Sequence, residues 1–256
     1  MKTHTARALA AAFGAVAMLA ASASQASAAE PVVAYPLASP AAYADYLAHS
    51  DEEGALEGLK QFRILTPDEQ NRFLGYLQDP SLYKDFLTAD PEVQNSITAL
   101  AENTSQSVSF RNGDVTYESE STVSGVAAAA RGPLPRGEHK VKRSNKLKIL
   151  GIPVVELKIW VKFQSNGRDI TKVIDADGGK TNISGTVSIS KEKPKTSMGS
   201  QQFCERGGSC VGGHTAIGSI VWNGTAIFSG GAFQIDKVQK LTANVYGSGQ
   251  SSLKNA

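Results

Sequence analysis

The chain has 256 residues, 41% of them hydrophobic and 20% charged, which is enough for one large domain or two small ones with real cores. Beyond the N-terminal segment no stretch is long and apolar enough to cross a bilayer as a helix, so we expect no transmembrane segment. The net formal charge is only +2, but acidic and basic residues are concentrated in different halves of the chain. Residues 30–120 hold 16 acidic and 5 basic residues, net −11, whereas residues 121–256 hold 8 acidic and 19 basic residues, net +11. Such asymmetry is typical of a protein with a partner of opposite sign, and one candidate is docking of the acidic half on the basic half.

Residues 1–28 have the three parts of a secretory signal peptide. Lys2 and Arg7 form the charged start, residues 8–21 are almost wholly apolar, and residues 26–28 have the small-x-small form of a cleavage site. A transmembrane helix is the alternative, but the apolar run is shorter than the roughly 20 residues that a bilayer needs. We therefore predict a secreted, extracellular protein.

Short helices are predicted over an acidic region, residues 40–104, which follows an extended arm, residues 29–39. A Ser, Thr or Asp directly before a proline suits a helix start, because the side chain caps free N–H groups and the proline fixes φ. Such pairs are Ser39-Pro40, Thr66-Pro67, Asp79-Pro80 and Asp90-Pro91, and capping-box spacing is found at Ser50 with Glu53 and at Thr66 with Glu69. Five helices are predicted, each too short to be stable unless its apolar face packs on another helix or on the second half of the chain.

Alternating residues around Asn112-Gly113 predict a β-hairpin over residues 105–120, because both turn residues tolerate positive φ. The next segment, residues 121–146, is rich in Ala, Gly, Pro and basic residues and lacks a sustained period. This composition indicates a linker.

Residues 147–256 are predicted to form a basic β domain. In VVELKIWVKFQ, residues 154–164, apolar residues from Val155 to Phe163 alternate with polar ones, as in a half-buried antiparallel strand. Turns are predicted at Asn166-Gly167 and at Asp177-Gly178-Gly179, and further strands at residues 186–190, 217–228 and 234–246. We expect an α+β protein in which a small N-terminal helical bundle precedes an antiparallel β-sandwich, with a small open barrel as the alternative.

Both cysteines, Cys204 and Cys210, lie in the motif CERGGSC. An even pair in a secreted chain predicts a disulfide, which would hold a short loop. A metal site is the alternative, but it needs more ligands than two thiols and only His214 is near in sequence.

The Ala-rich signal, the helical segment LTPDEQNRFLGYLQDP and the closing stretches FQIDKVQK and SLKNA resemble exported proteins of unknown function that are common in actinobacteria. The resemblance implies a bacterial origin. It assigns no catalytic residue to this chain.

No motif predicts catalysis, a metal site or a cofactor. A G-x-S-x-G nucleophile motif is missing, and His214, within GGHT, has Glu205 and Asp236 as candidate partners, although a surface histidine on a glycine loop is favoured. Asp175 and Asp177 resemble the start of a calcium loop whose further ligands are missing, so a polar hairpin turn is favoured. We therefore predict no catalytic residue, no metal and no cofactor, and we favour a non-enzymatic protein.

Cations of the basic half are concentrated in one run and on one strand face. The run comprises Arg136, Lys140, Lys142, Arg143, Lys146 and Lys148, and the strand face comprises Lys158, Trp160 and Lys162. Cations around an aromatic ring bind anionic groups through additive attraction that salt screens. For an exported protein we expect an anionic envelope polymer or an acidic protein surface, not nucleic acid, and a solvated strand face is the alternative. The predicted binding residues are Lys146, Lys148, Lys158, Trp160, Lys162 and Arg206.

Two other functions fit the same features. In one, the acidic helices are a pro-region that masks a secreted toxin or hydrolase and is released at the Arg-rich linker. In the other, the Cys204-Cys210 loop presents Arg206 to a target protease, as an inhibitor does.

Overall fold

A computed structural model of the chain describes residues 36–88, 104–124, 132–204, 210–228, 231–247 and 249–256. These residues belong to one compact unit, Ala34–Ala256. The predicted signal peptide, most of the arm, the fifth helix after Asp90 and Arg206 lie outside the described residues.

Four short helices follow one another at the start of the described chain. They are α1 (Pro40–His49), α2 (Ala55–Ile64), α3 (Pro67–Leu77) and α4 (Pro80–Thr88). The predicted caps before proline are confirmed for α1 and α3, where Ser39 Oγ accepts the N–H of Ala42 over 3.1 Å and Thr66 with Glu69 forms a complete capping box. The side chain of Asp79 accepts the Ser81 N–H over 2.9 Å at the start of α4.

The predicted capping box of Ser50 and Glu53 is wrong. Helix α2 begins at Ala55, and its N-cap is Gly54 with a φ of 87°. The carboxylate of Glu53 is instead 2.6 Å from Lys158 Nζ on the neighbouring sheet, so a tertiary ion pair replaces the local cap.

The strands of the described residues form two antiparallel sheets. They are β1 (Thr104–Phe110), β2 (Val115–Ser124), β3 (Arg136–Ile149), β4 (Ile152–Asn166), β5 (Ile170–Asn182), β6 (Val187–Lys191), β7 (Lys195–Cys204), β8 (Cys210–Phe228), β9 (Gly231–Ala243) and β10 (Gly249–Asn255). Sheet A has the order β1-β2-β3-β4-β5, and sheet B has the order β10-β9-β8-β6, with β7 also paired to β8. Helices followed by two packed antiparallel sheets confirm the predicted α+β fold with a sandwich.

Local signals predicted the hairpins well. The turn between β1 and β2 has Asn112 at φ 61° and Gly113 at φ 95°, and the turn after β4 has Gly167 at φ 91°. These are the positive φ values that Asn and Gly tolerate, so both predicted Asn-Gly turns are confirmed.

Two segments differ from the prediction. Much of the predicted linker, residues 121–146, is strand, because β2 continues to Ser124 and β3 starts at Arg136. The polar residues Arg143 and Asn145 interrupt the apolar alternation of β3, which hides the strand in the sequence. The predicted turn at Asp177-Gly178-Gly179 is also wrong, since these residues lie inside β5 and pair with β4.

The helices pack on the sandwich and share its hydrophobic core. The hydroxyl of Tyr43 on α1 donates to the carbonyl of Ile183 over 2.8 Å, and that of Thr186 donates to the carbonyl of Leu77 over 3.2 Å. The ring of Tyr43 also contacts Phe62 edge-on at 5.0 Å. Apolar packing therefore gives the short helices the tertiary support that they need.

Candidate functional site

Strand β4 turns its cations and its tryptophan away from the core. Its odd-numbered residues from Val155 to Phe163 are buried, whereas Lys158, Trp160 and Lys162 are partly exposed, as the alternation predicts. The register of sheet A sets these side chains beside outward residues of β2, β3 and β5. We call this surface the outer face of sheet A.

One half of the outer face, nearest the helices, is an ion-pair network that we call the paired half. Its residues are Glu118, Glu120, Lys146, Lys148, Glu156 and Lys158. Lys146 Nζ is 2.7 Å from Glu120 and 3.6 Å from Glu118, and Lys148 also binds Glu118. The alternation of acids on β2 and β4 with lysines on β3 gives each cation a carboxylate opposite or diagonal to it.

The acidic segment before α2 also contacts this sheet. Glu53 lies 2.6 Å from Lys158, and Glu52 lies 2.6 Å from Lys180 of β5. Lys158 has Glu156 as a second partner at 3.5 Å. The helical part of the chain therefore neutralises cations of the β part.

The pKa directions agree with this pairing. Burial alone lowers the pKa of Lys146, but its hydrogen bond to Glu120 and the nearby carboxylates outweigh burial and raise that pKa. The same balance, with Glu53 as the hydrogen-bond partner, raises the pKa of Lys158. The hydrogen bond from Lys146 lowers the pKa of Glu120. Lys146, Lys158 and Glu120 are thus held in their charged forms.

The opposite half of the outer face, which we call the open half, comprises Lys140, Lys142, Trp160 and Lys162. Lys140 Nζ lies 4.3 Å from the centroid of the Trp160 ring, and Lys142 stands directly opposite Trp160 in the register. Lys162 is 2.5 Å from Glu138. Among the described residues, no carboxylate lies within 4.0 Å of the ammonium of Lys140 or Lys142.

Geometry makes the open half suitable for repeated anionic groups. Lys140 and Lys142 point to the same side of β3, about 7 Å apart along the strand. The Trp160 indole, over which Lys140 Nζ lies, adds an aromatic surface that packs against apolar or sugar-like groups.

The structure divides the predicted binding residues between the two halves. Trp160 and Lys162 belong to the open half, whereas Lys146, Lys148 and Lys158 belong to the paired half. Lys140 and Lys142 were part of the basic run that the sequence singles out, but they were not among the predicted binding residues. Their alternation with Val141 was the signal that marks them as outward residues of a strand.

His214 has an acidic neighbour that differs from the two expected ones. Its Nδ1 lies 2.6 Å from Asp169 Oδ2, and its backbone N–H donates to Asp169 Oδ1 over 2.7 Å. Asp236 is instead bonded to Gln234, and Glu205 is outside the described residues. Within the described chain no hydroxyl is hydrogen-bonded to the other ring nitrogen of His214, so this pair serves to tie the β4–β5 turn to β8.

The cysteine loop closes the hairpin of β7 and β8. Cys204 and Cys210 are register partners across this pair of strands. Directly opposed residues of an antiparallel pair have Cα atoms about 4.5–5.5 Å apart, which falls within the range of disulfides. The disulfide itself stays a prediction.

In the part of the chain that the structure describes, no group of three or more His, Cys, Asp or Glu side chains is placed to hold a metal ion. Nor does any helix there have the length and hydropathy to cross a membrane. Comparison with protein-family models, curated proteins and solved structures finds no match for this chain.

Proposed function

We propose that the chain is an exported, non-enzymatic binding protein whose open half contacts an anionic polymer of the cell envelope or an acidic protein surface. The observation that carries the proposal is the cluster of Lys140, Lys142 and Trp160 on an exposed sheet face. Its two ammonium groups have no carboxylate within ion-pair distance among the described residues.

Contrast with the paired half supports this location. Lys146 and Lys148 already bind carboxylates, and an incoming anion would have to displace them. Among the described residues, no carboxylate forms an ion pair with Lys140 or Lys142 within 4.0 Å, although Glu120 is near enough to Lys142 to interact with it electrostatically. Their attraction is therefore less committed than that of Lys146 and Lys148. The strand fixes the backbone positions of the two lysines, so binding has to order only their side chains.

Export rests on the predicted signal in residues 1–28. In an oxidising compartment Cys204 and Cys210 would form a disulfide, which would join the ends of β7 and β8 where they are register partners. Mass measurement of the exported protein before and after reduction tests both points: cleavage after Ala28 removes a defined mass, and a disulfide adds two hydrogens on reduction.

Binding is tested with fluorescent poly-glutamate and with polyphosphate as probes, at salt from about 50 mM to about 500 mM. Replacing both Lys140 and Lys142 by alanine is expected to weaken binding about tenfold and to reduce its salt dependence, because two screened attractions are lost. The matched control replaces Lys240 and Lys254, two exposed lysines of sheet B, and should bind like the wild type.

Binding that stays constant across the salt range contradicts an electrostatic mechanism. Equal losses in both double variants would mean that net charge alone matters and that the open half is no specific site. Trp160→Ala separates these cases further, since it leaves every charge in place and should still weaken binding if the cluster acts as a unit.

A further inference from the structure

Lys158 lies next to the open half on the outer face of sheet A. It precedes Trp160 by two residues on β4, and Trp160 stands opposite Lys142 of β3. Lys158 and Lys142 are therefore diagonal neighbours, which are about 7–8 Å apart in an antiparallel pair of strands. The outward positions of Lys140, Lys142 and Lys158 thus follow one another along the sheet face, with Trp160 beside them.

Lys158 differs from Lys142 in having an ion-pair partner that comes from the helical part of the chain. Glu53 Oε1 lies 2.6 Å from Lys158 Nζ and accepts a hydrogen bond from it. Glu53 belongs to the short connection between α1 and α2. An anion that arrives from solution would have to compete with this carboxylate for the same ammonium group.

Glu53 can leave Lys158 while the connection keeps its place. Its side chain is 67% exposed, and Lys158 is its one hydrogen-bond partner among the described residues. Beside it, Glu52 lies 2.6 Å from Lys180, and the carbonyl of Glu52 accepts the Ala55 N–H over 3.1 Å. Exposed ion pairs contribute little to stability, so a bound anion can replace this one.

The other acids that contact lysines of the paired half are held more firmly. Glu118, Glu120 and Glu156 lie on strands of sheet A, and their side chains are all less exposed than that of Glu53. Glu118 also binds two lysines at once. Glu53 is therefore the acid of this surface that a partner displaces most easily.

We propose that Glu53 is an internal competitor of the partner. The binding surface then extends from the open half to Lys158, and a bound partner takes the place of the Glu53 carboxylate there. This competition rests on the proposed function, since it concerns the same surface. It implies a partner with an anionic group for each of Lys140, Lys142 and Lys158, and it selects against partners that carry too few such groups to replace Glu53.

The experiment measures the affinity of poly-glutamate and of polyphosphate for the full chain at about 50 mM salt. Glu53→Gln keeps the shape of the side chain but removes its charge, and we expect it to bind both probes about threefold more tightly, because an exposed competitor is lost. Glu57→Gln is the matched control. It changes the net charge equally at an exposed acid of α2 that pairs with Lys60 of the same helix, and it should bind like the wild type.

A second comparison separates competition from general repulsion of anions. Lys158→Met removes the cation for which Glu53 and the partner compete. In this background Glu53→Gln should no longer tighten binding, because the two effects are coupled through Lys158. A carboxylate that only repelled anions would still weaken binding after Lys158 was replaced.

Three results overturn the competition: Glu53→Gln binds the probes no more tightly than the wild type, Glu57→Gln gains as much as Glu53→Gln, or the gain persists in the Lys158→Met background. If the wild type binds the probes and one of these results is found, the competition fails and the open half stands. If neither the wild type nor Glu53→Gln binds either probe, the proposed function fails and the competition fails with it.

Discussion

The two faces of sheet A are built on the same strands but are specified by different interactions. On the inner face, Leu157, Ile159 and Val161 of β4 are completely buried. Close packing in the core therefore decides which side chains fit beside them. On the outer face, Lys158 and Lys162 depend on which carboxylates the register and the helices bring near them. The difference shows that alternation in a strand predicts where its lysines point. It does not predict whether carboxylates from elsewhere in the chain already pair with those lysines.

The largest effect on stability is expected at two neighbouring glycines of β5. Gly178 lies on the inner face of sheet A and Gly179 on the outer face. A Cβ on Gly178 would lie 2.1 Å from the backbone oxygen of Lys158 and 2.6 Å from Ile220 Cδ1, whereas a Cβ on Gly179 would meet nothing within 4 Å. Gly178→Ala should therefore destabilise the protein by about 3 kcal/mol, because backbone must move. Gly179→Ala is the control and should be neutral or stabilise by about 0.5 kcal/mol. Urea unfolding of both variants measures the difference, and similar stabilities would contradict the inner-face geometry.

A smaller effect is expected from the carboxylate that holds the paired half together. Glu118 binds Lys146 and Lys148, and its side chain is 16% exposed. Glu118→Gln should reduce the free energy of unfolding by about 2 kcal/mol, since two half-buried ammonium groups lose a charged acceptor. Glu120→Gln is the matched control on the same strand, because Glu120 is 40% exposed and binds only one of the two lysines. Equal losses from both variants would mean that burial does not decide the strength of these pairs.

The same contrast explains how much of the fold the sequence could predict. Strand β4 was predictable because buried apolar residues at odd positions alternate with outward residues, polar except for Trp160, over residues 155–164. Strand β3 was hidden, since Arg143 and Asn145 occupy interior positions where the alternation requires apolar residues. The prediction of a turn at Gly178 was wrong because the residue type there is set by tertiary packing, as it is at Arg143 and Asn145. Gly178 serves a close approach between strands, which local turn preferences do not describe.

The sequence could predict which side chains of β4 point outward, but not which carboxylates form ion pairs with them. Sequence alternation indicated that Lys158, Trp160 and Lys162 point outward, and the structure agrees. The acid that neutralises Lys158 is Glu53, 105 residues away, and local rules assigned Glu53 to a helix cap. Partners of this kind depend on tertiary packing, so one sequence read locally could not separate the paired half from the open half.

An intermediate effect that depends on pH is expected where Asp169 joins the β4–β5 turn to His214. Burial raises the pKa of Asp169, but hydrogen bonds donated by the backbone and ring of His214 and by the Ile170 N–H outweigh it and lower that pKa. Because the folded pKa lies below the unfolded value of about 3.9, the carboxylate stabilises the fold above that pH and loses this effect as the pH falls through the folded pKa. Asp169→Asn should cost about 1 kcal/mol at pH 6. The Tm difference between wild type and variant should shrink below about pH 4, and a difference that grows on acidification would contradict this sign.

The smallest effect is expected at the rim of the outer face, where the helical segment meets the sheet. Glu53 is 67% exposed although its partner Lys158 is only 15% exposed, so water and salt screen the pair from one side. Glu53→Gln should therefore change stability by about 0.5 kcal/mol, far less than Glu118→Gln, because Lys158 keeps Glu156 as a second partner at 3.5 Å. A double-mutant cycle of Glu53→Gln with Lys158→Met measures the coupling, which should decrease as salt is raised. A coupling of about 2 kcal/mol that salt does not reduce would mean that this rim pair holds the helices on the sheet. In that case charge, and not the buried contact of Tyr43 with Ile183, would govern how the two parts of the chain join.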